Sequence, residues 1–301
     1  MESLLQWGID LIIAIQKVHG PVLDNIFRAV TFLGEADFYQ LLLPLIFWCV
    51  DYRLGVRLAI LVLFSSYINI GLKDLFQQPR PFDINPSVQL SDVEGYGLPS
   101  AHAQTSTLFW AGIAIRVHKM WFSVAAIGLI VVIGFSRIYL GVHFPTDVLA
   151  GWLIGGALLC LDVVLEPGIS RRLAQLSLRF QVLLALVVPL LLLLVHPVDH
   201  TAYFTGILTG MALGLALAHR YIPWGVRGPW WQRAFRFLIG SAVIFAFQLG
   251  LNEVLPSEDG TAFHLGLRFL GAGIIGVWVT LGAPWLFRIL RLVPKAERSQ
   301  G

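Results

Sequence analysis

Residues 179–196 read Arg179-Phe-Gln-Val-Leu-Leu-Ala-Leu-Val-Val-Pro-Leu-Leu-Leu-Leu-Leu-Val-His196. Only Gln181 and Pro189 interrupt the apolar run between the two basic ends. A helix that crosses hydrocarbon needs about 20 mostly apolar residues, so this stretch predicts a membrane span. Eight more stretches have the same character: 36–51, 55–73, 101–117, 120–138, 146–165, 202–218, 235–251 and 264–287. The composition agrees. Of 301 residues, 57% are hydrophobic and 13% charged, and the mean hydropathy is +0.76. Soluble domains carry about 25% charged residues. These values exclude a soluble enzyme, a disordered chain and a nucleic-acid binder. The net charge of +3 fits membrane orientation better than nucleic-acid contact. The expected fold is all-α: a polytopic bundle of about nine transmembrane helices, preceded by interfacial helices. Cys49 and Cys160 both fall inside apolar runs, which predicts reduced thiols.

Residues 1–35 differ from the spans. Ser3, Gln6, Asp10 and Lys17 fall near one helical face, and Asp24, Asn25, Arg28 and Thr31 are set among apolar residues. Both segments read as amphipathic helices in the interface. The opening residues carry an acidic group and no basic cluster, so no cleavable leader is expected.

Lys and Arg sort the connections into two sides. Arg53, Arg57, Arg116, Lys119, Arg171, Arg172, Arg179, Arg220, Arg227, Arg233, Arg236, Arg288, Arg291, Lys295 and Arg298 fall on one side. Lys17, Arg28, Lys73, Arg80, Arg137 and Arg268 fall on the other. The positive-inside rule makes the first side cytoplasmic. The tryptophans Trp224, Trp230 and Trp231 then read as a cytoplasmic interfacial belt.

Three clusters occupy the opposite face. Lys73-Asp74-Leu75-Phe76-Gln77-Gln78-Pro79-Arg80-Pro81 ends the second span. Tyr96-Gly97-Leu98-Pro99-Ser100-Ala101-His102 opens the third, where Ser suits a helix start and free backbone N–H groups favour an anion. Ser136-Arg137-Ile138-Tyr139-Leu140-Gly141-Val142-His143-Phe144-Pro145-Thr146-Asp147 joins the fourth and fifth. Asp147 falls in a first helical turn within reach of His143. A carboxylate that accepts one ring N–H leaves the other nitrogen free as a nucleophile. Unpaired cations are costly beside hydrocarbon, so a shared anion is the economical explanation for Lys73, Arg80 and Arg137.

Lys-x6-Arg-Pro, Pro-Ser-x-His and Ser-Arg-x5-His-x3-Asp resemble the three signatures of the type 2 phosphatidic acid phosphatase superfamily. Ala101 stands where many members have Gly. Leu33-Gly34-Glu35-Ala36-Asp37-Phe38-Tyr39, Phe47-Trp48-Cys49-Val50-Asp51-Tyr52-Arg53 and the helices ending in Pro284-Trp285-Leu286-Phe287-Arg288 are similar to the sphingosine-1-phosphate, or long-chain-base phosphate, phosphatase branch.

The resemblance implies a two-step lipid phosphomonoester hydrolysis. His143 attacks phosphorus, Asp147 orients it, and His102 protonates the leaving alkoxide. Lys73, Arg80 and Arg137 bind the phosphate oxygens, with Ser100, Ser136 and the helix start at Ala101 adding hydrogen bonds. No metal and no cofactor is expected: the cations supply the positive charge, and no acidic cluster has metal-ligand spacing. Asp74 and Asp83 are expected as salt-bridge partners. The expected partners are a phospholipid substrate and the membrane, and no nucleic acid; a homo-oligomer is left open.

The expected organisation is 1–35 interfacial, 36–166 a catalytic core and 167–301 additional transmembrane helices. In the last segment, Gly206, Gly210 and Gly214 read as internal helix packing. His264 and Arg268, with Glu253, Glu258 and Asp259 before them, read as surface charges at a helix end. Short loops and the lack of Asn-X-Ser/Thr sites point to a bacterial inner membrane with a periplasmic site, the alternative being a lumenal site in the endoplasmic reticulum. Alternative activities are hydrolysis of undecaprenyl or another isoprenoid (di)phosphate and phosphoryl transfer to a second lipid. A transporter with a vestigial site is a rival of another class, disfavoured by the intact motif residues.

Overall fold

The computed structural model describes residues 2–221, 225–255 and 261–293. Trp224, Glu258, Asp259, Lys295 and Arg298 lie outside the described residues. The fold is all-helical, with 83% of residues in helices and no strand among the described residues. The helices are α1 (Glu2–Gln16), α2 (Pro21–Phe32), α3 (Ala36–Leu45), α4 (Tyr52–Phe76), α5 (Pro81–Ile84), α6 (Ala101–Val117) and α7 (Met120–Tyr139). They continue with α8 (Pro145–Gln175), α9 (Leu178–Val195), α10 (Asp199–Tyr221), α11 (Trp230–Val254), α12 (Ala262–Val277) and α13 (Ala283–Ile289). Short π-helical turns follow α3 at Ile46–Val50 and α12 at Trp278–Gly282.

All nine apolar stretches are helical, and seven helices are long and apolar enough to cross a membrane. An eighth span arises if Pro21–Phe32 and Ala36–Val50, bent by 47°, count as one. The two shortfalls have local causes. Pro44 lies inside α3, where its missing N–H and ring disrupt the helical ladder. The second is α6, only 17 residues long, which carries buried Gln104 and Ser106.

Helix α9 shows why these sequences are apolar all round. Only Ala185, Pro189 and Leu193, four residues apart, are buried. Leu183, Leu186, Leu190 and Leu194 are exposed. The buried stripe packs on protein, while the exposed leucines suit lipid, which a water-facing helix would not tolerate.

The chain forms two compact units, Met1–Gln40 with Phe64–Leu165, and Leu41–Leu63 with Glu166–Gly301. In the first, α6 and α8 approach closely. A Cβ at Gly151 would meet the Ser100 carbonyl oxygen at 2.6 Å, and one at Gly155 would meet that of Gln104 at 2.5 Å. At the end of α7, Tyr139, Leu140 and Val142 form an apolar cluster with Ile15, Leu23, Phe27 and Phe82. Polar residues of α2 bond within this unit. The Tyr139 hydroxyl donates to Asp24 at 2.6 Å, and Arg28 donates to the Leu90 carbonyl at 2.9 Å.

In the second unit, Phe47, Trp48, Cys49, Ile244, Ile275 and Phe287 form a buried core. Gly206, Gly210 and Gly214 of α10 face Phe269, Gly273 and Thr280, so the glycine stripe serves internal packing. The expectation of surface charges at His264 and Arg268 is corrected. His264 is 5% exposed and bonds Asp199 at 2.9 Å. Arg268 lies 3.4 Å from Asp199 and donates to Asn252 at 2.8 Å. Asp199, which opens α10, supplies the charge that lets both be buried. Trp230 and Trp231 are exposed. Both cysteines are free thiols, Cys49 buried and Cys160 exposed.

Candidate active site

The three motifs meet at one end of α4, α6, α7 and α8, all within the first unit. Pro145 opens α8, which places Asp147 in the first turn. The preceding loop turns sharply. Gly141 has φ +70°, and a Cβ there would strike the Val88 carbonyl, so only glycine fits. The backbone N–H groups of Val142 and His143 both donate to the Arg137 carbonyl. This loop presents His143, which is 2% exposed.

The His143 Nδ1 lies 3.3 Å from Asp147 Oδ2. That oxygen also accepts the Phe144 N–H at 2.9 Å, and Gln78 donates to Oδ1 at 2.6 Å. Both carboxylate oxygens are therefore fixed. With Nδ1–H donated to Asp147, the lone pair of His143 is left at Nε2, which lies 3.4 Å from Arg80 Nη1. Burial, and after it the charges of Arg137, Arg80 and Lys73, holds the His143 ring well below the ordinary histidine range. The ring is thus unprotonated at neutral pH, as a nucleophile requires.

Arg80 is 3% exposed. It donates to the carbonyls of Gly95 at 2.6 Å, Glu94 at 2.8 Å and Val142 at 2.9 Å. Asp83 accepts the Arg80 backbone N–H at 2.7 Å and caps the short α5. Lys73, half-buried in the last turn of α4, feels the charges of Arg80, Arg137 and Asp147. The charges of Arg137, Lys73 and Arg80 also reach His102. Ser100 immediately precedes α6 and gives its N–H to the Asp147 carbonyl at 3.0 Å, tying the second motif to the third. Ala101 is the first residue of α6. The Ser136 hydroxyl donates back to the Ile133 carbonyl at 2.6 Å.

Three polar atoms here are buried without a partner: Ser100 Oγ, His102 Nε2 and Arg137 Nε. Buried polar groups are nearly always satisfied, and an unmet one costs about 1–3 kcal/mol. All three atoms belong to residues of the second and third motifs, and the charges of Arg137, Lys73 and Arg80 reach His102 among them. No group of three or more His, Cys, Asp or Glu able to hold a metal occurs among the described residues.

Three contributors lie outside the sequence reading. Gln78 sits inside the first motif, yet nothing in its spacing signals a bond to Asp147. Thr31 accepts from Arg137 Nη1 at 2.6 Å. At Gly34, an added Cβ would lie 2.9 Å from His102 Cδ2. A place among the polar residues of the amphipathic helix α2 is the only signal Thr31 gives.

Two family models match separate parts of the chain: PAP2 superfamily over residues 54–171 and PAP2 superfamily phosphatase, transmembrane extension, over 201–298. Together they take in more than two thirds of it. This chain belongs to the PAP2 superfamily. All three motifs, from Lys73 to Asp147, fall within the first match. Lipid phosphate phosphatase delta of Arabidopsis thaliana is 31% identical over 173 residues, covering 51% of this chain and 41% of the relative. Sphingosine-1-phosphate phosphatase 2 of Mus musculus is 32% identical over 144 residues, covering 45% and 40%. The matched segments thus span about two fifths of these curated relatives. The transmembrane PAP2 type phosphatidylglycerolphosphate phosphatase of Bacillus subtilis shares the fold, with a TM-score of 0.50 at 23% identity, over 56% of this chain and 89% of that one.

Proposed function

We propose that this membrane protein of the PAP2 superfamily hydrolyses the phosphomonoester of a lipid, with residues 36–166 as the catalytic core. The observation that carries the reading is the set of unpartnered buried groups, Ser100 Oγ, His102 Nε2 and Arg137 Nε, beside an unprotonated His143. A phosphate satisfies all of them at once. The PAP2 match and the similarity to lipid phosphate and sphingosine-1-phosphate phosphatases support the same chemistry.

In the proposed mechanism, His143 Nε2 attacks phosphorus while Nδ1–H stays with Asp147. The phosphorus–oxygen bond to the lipid breaks, and His102 gives its proton to the departing alkoxide. Lys73, Arg80 and Arg137 hold the nonbridging oxygens and stabilise the charge of the transition state. Water then attacks the phosphohistidine and gives a proton to His102. Inorganic phosphate leaves, and the His143 lone pair is restored. Every step uses side chains of this chain and needs no metal. The favoured substrate class is a long-chain-base phosphate or phosphatidic acid, with its headgroup at the helix ends and its chains in lipid. The site faces the periplasm, or the lumen in a eukaryotic cell.

The test is phosphate release by detergent-purified protein from sphingosine 1-phosphate, phosphatidic acid and undecaprenyl diphosphate, with EDTA present. Release from either of the first two, lost by at least about a thousandfold in His143→Ala, is expected. Preference for undecaprenyl diphosphate would keep the chemistry and discard the substrate class. An absence of release from all three would sink the reading.

A further inference from the structure

We infer that Thr31, which lies outside the three motifs, selects the edge of Arg137 that faces an incoming phosphate; the inference rests on the phosphate site proposed above. A guanidinium can grip two oxygens through its end pair, Nη1 and Nη2, or its side pair, Nε and Nη2. Here Nη1 is committed to Thr31 Oγ1 at 2.6 Å, while buried Nε has no partner. The end pair is divided and the side pair is left open. Thr31 is 4% exposed and Arg137 3%, so water does not compete for either.

The hydroxyl is well placed to act as a fixed stop. Threonine has few χ1 choices on a helix, and α2 is anchored to α7 around it. The Tyr139 hydroxyl bonds Asp24, and the Phe27 ring lies 4.1 Å from that of Tyr139. One turn beyond Thr31, Glu35 adds an attractive charge to the same guanidinium. Gly34, between them, leaves room for His102. The segment 31–35 therefore touches both an anion-binding residue and the general acid of the proposed mechanism. Without the hydroxyl, Nη1 loses its acceptor and the guanidinium can rotate to another edge. Thr31 is thus a positioning residue acting through Arg137.

The test measures orthovanadate binding to the full-length detergent-solubilised protein by calorimetry, beside kinetics on the lipid substrate. Thr31→Val keeps the shape and removes the hydroxyl; Thr31→Ser keeps the hydroxyl. We expect Thr31→Val to weaken vanadate binding and raise KM about tenfold or more while still unfolding cooperatively at a lower midpoint, and Thr31→Ser to stay near wild type in binding, KM and midpoint. In an Arg137→Lys background, Thr31→Val should change vanadate affinity no further. Equal affinity in wild type and Thr31→Val, equal losses in Val and Ser, or additive losses with Arg137→Lys would each overturn the inference. If wild type binds vanadate but hydrolyses no lipid, the proposed activity fails while the Thr31 comparison still decides this point. If wild type binds no vanadate, both fail.

Discussion

In the proposed mechanism, the nucleophile is the product of a hydrogen-bond chain in which each residue leaves the next a single choice. Gln78 and the Phe144 N–H fix both oxygens of Asp147, Asp147 fixes Nδ1 of His143, and only Nε2 remains for chemistry. Removing the Gln78 amide frees one carboxylate oxygen inside a buried site. Gln78→Leu should therefore lower kcat about tenfold with little change in KM, because orientation of the nucleophile matters most in the transition state. Asp147→Asn should cost more. The double variant should be no worse than Asp147→Asn alone, since both act through the same ring. Steady-state kinetics of the three variants checks this, and unchanged turnover in Gln78→Leu contradicts it.

At the scale of elements, the site is held by how closely helices approach. The start of α6 meets the start of α8 because Gly151 and Gly155 leave carbonyl oxygens where side chains would otherwise stand. The neighbouring Gly156 meets nothing within 4 Å. This pair gives an internal comparison. Gly155→Leu should push α6 away from α8, costing about 1–3 kcal/mol and most of the activity. Gly156→Leu, one residue away on an open face, should leave both near wild type. Thermal unfolding in detergent, with phosphate release, measures the contrast. A buried polar chain ties α6 to α4 as well. Gln104 of α6 donates to Ser65 of α4, and Asn69 donates to Gln104 at 2.9 Å and to the Pro99 carbonyl at 3.3 Å. These bonds hold the loop just before Ser100.

For the whole molecule, the decisive property is which side of the membrane carries the site. The cations of the three motifs stand against the positive-inside bias, and that bias places Lys119 and Asp92 on opposite sides. In a chain lacking Cys49 and Cys160, Asp92→Cys should react with a membrane-impermeant maleimide in intact cells. Lys119→Cys should react only after permeabilisation. The reverse pattern would put the site in the cytoplasm and overturn the proposed orientation.

The linear chain sets the membrane character and helical class through the length of its apolar runs, because a continuous run of about 20 apolar residues can satisfy its backbone hydrogen bonds within itself only as a helix. It also carries the three motifs, since the spacing from His143 to Asp147 spans one helical turn and is local. Beyond local reach, the sequence has no comparable signal. Thr31 and Arg137 stand 106 positions apart, with no period or spacing that links them. His264 and Arg268 look like surface charges until Asp199 is brought beside them. Pro44 and the polar faces of α6 make two helices weaker spans than their apolar content suggests. Which polar residue meets which cation is decided by tertiary packing, where burial removes the competing water and makes each partner specific.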